Sequence, residues 1–255
     1  MPNWAYNNFK IKGSEKNILA FLNSGLTNSN LPECDNIEDA VKALVDGATT
    51  KCVKDREKKF FMREEQNSLE ITYEKGLTMR TFRPTPDTFL LYDTTNYAKD
   101  FPEEAKKQEE EYGAVGWYDY NVLTLGTKWN APIEIYDYYE SPDGMWVIEC
   151  HNETAWSYPS AWLAYIAREF DVNIYGTFFE EGDFYALNLV FSKEFGEMTI
   201  SDHIADITEE LNAIDGETDD YCECSIDIHD KWQQIMADEL LDAMMKNITL
   251  VGEGL

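Results

Sequence analysis

Between Met145 and His229 the apolar residues switch between a spacing of two and a spacing of three to four. The switches run in the order strand, helix, strand, strand, helix, strand. Met145–His151 alternates. Trp162, Leu163, Ile166 and Phe170 form a helical stripe that starts at Ser157 or Ser160. Val172–Phe179 and Phe184–Phe191 alternate again, with a turn at Glu180-Glu181-Gly182-Asp183 between them. Ser201 or Asp202 is placed to cap a helix carrying Ile204, Ile207, Leu211 and Ile214, and Tyr221–His229 alternates once more. This βαββαβ order predicts a ferredoxin-like α+β fold for the C-terminal half, a fold name that implies no iron–sulfur cluster. An extra strand at Ile133–Tyr139 precedes it, joined through the turn Ser141-Pro142-Asp143-Gly144. A last helix follows, capped by Asp230, with Trp232, Ile235, Met236, Leu240, Ala243 and Met244 on one stripe.

The N-terminal half also reads as α+β. Asn8–Lys12 is a strand with Phe9 and Ile11 on one face. Ser14 caps a helix through Ile18, Leu19, Phe21 and Leu22 that ends near Gly25. Asn36 caps a second helix through Ile37, Val41, Leu44 and Val45, stopped by Gly47. Strands are expected at Lys59–Arg63, Leu69–Tyr73 and Thr78–Phe82, and an exposed charged helix over 103–112. The order admits a degenerate second copy of the C-terminal half. The expected division is an α+β region over 1–127 and a ferredoxin-like acidic domain over 128–255.

Charge divides at the same place. Residues 1–127 hold 16 basic and 21 acidic side chains, and residues 128–255 hold 5 and 28. Between Lys193 and Lys231 there are 13 acids and no Lys or Arg. Nucleic acid is not expected to bind this half, because phosphate contact needs Lys and Arg to replace counterions. A negative field favours a basic protein partner, such as the nucleic-acid groove of another protein. The expected partner surface is Asp202, Asp206, Glu209, Glu210, Asp215, Glu217, Asp219 and Asp220. Solubility alone is the competing explanation of the acids. Lys51, Lys54, Arg56, Lys58, Lys59 and Arg63 form a small basic run broken by Asp55 and Glu57. Such a run reads as a solvated segment, with a phosphate-binding patch as the alternative.

At 44% hydrophobic and 14% aromatic residues the chain can bury a core and is not a disordered acidic tail. No run is long and apolar enough for a membrane span. The start Met1-Pro2-Asn3-Trp4 lacks the basic and apolar regions of a secretory leader, so a cytoplasmic location is expected.

No motif fixes a reaction. Cys34, Cys52, Cys150, Cys222 and Cys224 are odd in number and scattered, which argues against a disulfide framework. Strand alternation sets Cys222 and Cys224 on the face opposite His229, against a metal site. His203 with Asp202 and Asp206 falls short of a closed zinc set. There is no nucleophile elbow, zinc-protease helix or phosphate-binding glycine loop. No catalytic residue, metal site or cofactor is expected, and the balance leans away from an enzyme.

The aromatic residues are the remaining signal. Trp117, Trp129, Trp146, Trp156 and Trp162 fall within 46 residues. Met1-Pro2-Asn3-Trp4-Ala5-Tyr6-Asn7-Asn8 resembles the opening of the YubB-type ferredoxin-like family of phage and plasmid proteins. Trp117-Tyr118-Asp119-Tyr120 with Gly126-Thr127-Lys128-Trp129-Asn130 resembles its most characteristic stretch, and Thr154-Ala155-Trp156-Ser157 with Pro159 resembles a third block. Ala5 and Tyr158 depart from the family's usual Cys and Pro. The resemblance implies a mobile-element origin and a ferredoxin-like half, and no activity, since the family's function is unknown. If the second and third blocks converge, Lys128, Trp129, Asn130, Thr154, Trp156 and Ser157 would form a polar-aromatic cleft. The leading expectation is a non-enzymatic acidic protein that binds and inhibits a basic host protein. The alternative is a small-molecule or nucleotide binder that uses this cleft.

Overall fold

The computed structural model describes residues 3–53, 71–91, 99, 101–180, 185–193 and 196–202. It is mixed α+β, built on a six-stranded antiparallel sheet. The strands are β1 (Trp4–Gly13), β4 (Glu134–Glu140), β5 (Trp146–Ala155), β6 (Asn173–Glu180), β7 (Tyr185–Ser192) and β8 (Gly196–Asp202). β2 (Thr49–Val53) and β3 (Ile71–Lys75) form a separate pair. The helices are α1 (Glu15–Asn28), α2 (Ile37–Gly47), α3 (Met79–Phe82), α4 (Asp87–Leu91), α5 (Pro102–Tyr112), α6 (Trp117–Leu125) and α7 (Ser160–Phe170).

The large sheet runs β4-β5-β1-β6-β7-β8. β1, from the first residues of the chain, lies between β5 and β6 and pairs antiparallel with both. β5 and β6 are thus parallel to each other and separated by one strand, with α7 as the connection. The alternation of β1 explains its central place. Ala5, Asn7, Phe9 and Ile11 are buried on the side covered by helices, and Asn8, Lys10 and Lys12 turn to the open face. Phe9 faces Cys150 on one side and Gly176 on the other. A Cβ on Gly176 would meet the Asn8 carbonyl oxygen at 2.4 Å, so glycine is required for the close approach of β6 to β1.

The core under the sheet joins Phe9, Ile11, Ile148, Ile174, Phe178 and Phe191 to α1, α2 and α7. Phe82 of α3 stacks on Phe21 with centroids 4.3 Å apart and lies edge-on to Trp162 at 6.2 Å. Trp162 Nε1 donates to the Met79 carbonyl oxygen at 3.0 Å, satisfying the one polar atom of a fully buried indole.

Several expectations shift. Ser14 and Asn36 cap α1 and α2 as read from the sequence, but α1 runs past Gly25 to Asn28. Thr78–Phe82 is not a strand. The Thr81 hydroxyl accepts from the Thr78 N–H at 3.0 Å and closes a helical turn that buries both Met79 and Phe82. Ser201 and Asp202 lie at the end of a strand that was not expected, β8, paired to Asn188 and Leu187. The expected strand Lys59–Arg63, the helix after Asp202, the strand Tyr221–His229 and the last helix lie outside the described residues. Among the described residues, no helix is long and apolar enough to cross a membrane.

Candidate functional site

Two of the tryptophan-bearing segments converge at one end of the sheet. α6 stops at Gly126, whose φ of 81° is a left-handed value that favours glycine. A Cβ there would also strike Ser160 Oγ at 2.7 Å and the Ala161 nitrogen at 2.8 Å. The following segment therefore passes directly over the start of α7. The Thr127 hydroxyl donates to the Ala155 carbonyl oxygen at 2.9 Å, and Ser157 Oγ donates to the Gly126 carbonyl oxygen at 2.8 Å. These reciprocal bonds tie segment 126–130 to segment 154–157.

Thr154 fixes the second segment from below. Its buried Oγ1 accepts from Asn7 Nδ2 at 2.9 Å and donates to the Ser157 carbonyl oxygen at 2.7 Å. Asn7 Nδ2 also reaches Asn152 Oδ1 at 2.9 Å, so the covered face of the sheet is polar at this end. The turn between Thr154 and Ser157 forces Trp156 to a φ of 69°. For a bulky residue this is strained backbone, a kind of strain that concentrates at functional sites. The Trp156 N–H is held by the Asn3 carbonyl oxygen at 2.9 Å.

The result is an exposed aromatic platform. Lys128 Nζ lies 4.5 Å from the centroid of Trp156 and 4.9 Å from that of Trp129. Trp4 packs on Trp129 with centroids 6.2 Å apart. The three indoles remain 39%, 37% and 48% exposed for Trp4, Trp129 and Trp156. Each cation–π contact contributes about 0.5–1 kcal/mol at such a site. The ammonium holds two indoles at a fixed separation while part of each ring stays open.

Of the six cleft residues expected from sequence, Lys128, Trp129 and Trp156 meet at the surface. Thr154 and Ser157 are the clamps beneath. Asn130 turns the other way, its Oδ1 accepting from the Arg80 N–H at 3.1 Å. Trp4 was missed. The signal was available: extending the first strand back to Trp4 sets it opposite Ala155, beside Trp156.

Asp202 of the expected acidic surface lies at the end of β8. Asp206, Glu209, Glu210, Asp215, Glu217, Asp219 and Asp220 lie outside the described residues. So do Cys222, Cys224, His203 and His229. Cys150 is buried in the core, and burial pushes its thiol well above the usual range. His151 Nδ1 is 2.8 Å from Asn8 Oδ1 on the open face. No cluster of three or more metal-ligating side chains occurs among the described residues.

No family model matches the chain, and no curated protein matches it. Among solved structures it aligns with the crystal structure of a protein, Api92, from Yersinia pseudotuberculosis, of the DUF1281 family. The identity is 8%, over 79% of this chain and 99% of that one. The TM-score of 0.28 is too low for the likeness to carry an argument about fold or function.

Proposed function

We propose that this chain is an acidic interaction protein that anchors a basic protein partner on the platform of Trp4, Trp129 and Trp156. The observation that supports it most is the placement of Lys128 against two half-exposed indoles on a strained turn. Exposed, rigid tryptophans are the residues that most often dominate binding energy. Arg and Lys side chains of a partner stack on indole faces. The formal net charge of −28 supplies long-range attraction and raises the rate of encounter with a basic surface.

A basic groove that handles nucleic acid is the partner class that this charge suits. Occupying such a groove competes with phosphate, so the outcome is inhibition. The resemblance noted in the sequence extends the reading to a mobile element acting on a host protein. The strand order β4-β5-β1-β6, with α1 after β1 and α7 after β5, supports a ferredoxin-like core. Its first βα unit is then β1 and α1, not a segment of 128–255.

The test passes host lysate over immobilised protein at low and at about 0.5 M salt, where the Debye length is about 4 Å. A basic protein retained at both salts, and lost with Trp129→Ala/Trp156→Ala, is the expected result. Retention of the same proteins by that variant overturns the platform as anchor. Unchanged affinity after Asp206, Glu209 and Glu210 are all changed to Lys overturns the acidic surface expected from sequence. Lys128 between two indoles also suits a planar anionic small molecule. That second reading predicts ligand quenching of tryptophan fluorescence that disappears in Lys128→Ala.

A further inference from the structure

A cavity of about 320 Å³ lies where α1, β2, β3 and α3 meet. Its lining includes Asn28, Thr50, Lys51, Tyr73, Arg80 and Thr85, and among the described residues no Asp or Glu lines it. Arg80 is only 4% exposed. Its guanidinium donates to the Arg83 carbonyl oxygen at 3.2 Å, to Thr124 Oγ1 at 3.1 Å and to Asn121 Oδ1. Its Nε is buried with no acceptor among the described residues. Every one of these partners is neutral. The guanidinium also lies 5.0 Å from the Tyr120 ring centroid, and the like charge of Arg83 acts on it.

A guanidinium taken out of water among neutral partners carries a desolvation cost that a counter-anion relieves. Lys51 adds a second cation to the same cavity. Its Nζ donates to Asp87 Oδ1 at 3.0 Å, between side chains that are 36% and 52% exposed. An ion pair so open to water is weak and exchangeable. The Thr85 hydroxyl and the half-exposed ring and hydroxyl of Tyr73 complete the lining, while the Thr50 hydroxyl is engaged with Thr78 Oγ1 at 2.8 Å. Two cations with hydroxyl donors suit a doubly charged tetrahedral oxyanion better than a carboxylate. The volume falls in the range of small-ligand sites.

We infer that this cavity binds a small phosphate monoester that carries a ring, with the phosphate on Arg80 and Lys51 and the ring against Tyr73. The site shares no residue with the tryptophan platform, so the two readings stand or fall separately.

Calorimetry on the full chain at fixed ionic strength tests it, with AMP, adenosine and inorganic phosphate as probes. AMP is expected to bind with a Kd below about 1 mM, and adenosine at least about tenfold more weakly. Lys51→Met is expected to weaken AMP about tenfold, and Tyr73→Ala about threefold. Lys128→Met and Trp156→Ala should leave AMP binding unchanged. Lys51 and Tyr73 are partly exposed, so these variants keep the test independent of any folding defect in Arg80→Lys. The inference is overturned by no AMP binding at about 10 mM, or by adenosine or phosphate binding as tightly as AMP. Affinity that ignores Lys51→Met, or that is lost with Lys128→Met, overturns it as well.

Discussion

The open face of the sheet and the seam between α3 and α6 treat positive charge in opposite ways. On the open face, Lys10 is paired with Glu149, and Lys12 with Asp143 at 2.6 Å. At the seam, Arg80, Arg83 and Lys128 have no carboxylate partner among the described residues. Arg83 donates to the Thr124 carbonyl oxygen at 2.5 Å and lies 4.4 Å from the Tyr165 ring. Lys128 faces indoles, and Arg80 faces amide, hydroxyl and carbonyl oxygen. In so acidic a chain, the lack of a carboxylate partner for these three cations among the described residues is a local property of the seam. Net charge predicts the long-range field and says nothing of where an anion or a ring can be received. Asn121 links the Arg80 guanidinium to the backbone of Lys128: its Oδ1 accepts from Arg80, and its Nδ2 donates to the Lys128 carbonyl oxygen at 2.9 Å.

The largest expected effect breaks the seam. Arg80→Ala leaves a cavity and strips a partner from Asn121 and Thr124. It should lower stability in urea unfolding by about 3–5 kcal/mol. Arg80→Met keeps most of the volume and removes the buried charge, so its loss should stay under about 2 kcal/mol. Equal losses for the two variants would mean that the charge carries no burial cost, and the contrast with the open face would fall. Asn121→Leu comes next, at about 1–3 kcal/mol, because it leaves a buried donor without its acceptor. It should also shift tryptophan emission, since Lys128 loses the bond that fixes its backbone.

The same seam marks where sequence reading stopped. Caps and alternation located α1, α2, α7, β4, β5, β6 and β7, because Ser14, Asn36 and the turn at 141–144 act locally. They could not reveal that β1 inserts between β5 and β6, since that depends on pairing across more than 130 residues. α6 was not foreseen because its apolar residues form no single stripe: Val122 and Leu123 are 44% and 52% exposed. Lys128, Trp129 and Trp156 were legible only through two of the blocks that carry the family resemblance. Arg80 was not, because a buried arginine with neutral partners has no spacing signature. Lys51 was read only as part of a basic run, and its place in a cavity comes from the β2–β3 pairing.

A smaller effect sharpens the platform side. Trp156 holds a left-handed backbone conformation that costs a residue with a Cβ about 1 kcal/mol or more. Trp156→Gly and Trp156→Ala both remove the indole, so both should abolish binding that depends on the platform. The glycine variant should be about 1 kcal/mol more stable than the alanine variant, reversing the usual preference for alanine. Equal stability would show that the turn relaxes once the ring is gone, and that the strain is imposed by the indole's contact with Lys128.

The smallest effect lies on the open face and has a pH signature. The Lys12 ammonium, followed by the Ser141 hydroxyl, holds the Asp143 carboxyl down at about 2. Its folded value is below its unfolded one, so its contribution is complete above about pH 4 and is lost as pH falls through 2. Asp143 is half-exposed, and solvent screening keeps that contribution under about 1 kcal/mol. Asp143→Asn should therefore flatten the acid limb of the stability curve slightly and leave stability at pH 7 lower by the same small amount. Arg80 has the opposite sign. Burial lowers it to about 10, so the folded state sheds its proton first, and stability gains from this group only as pH rises past that value. The difference in stability between wild type and Arg80→Met should then be flat from pH 2 to 7, where the difference for Asp143→Asn is not. A sloping Arg80→Met difference in that window would reveal a carboxylate paired with Arg80, and the seam would then resemble the open face after all.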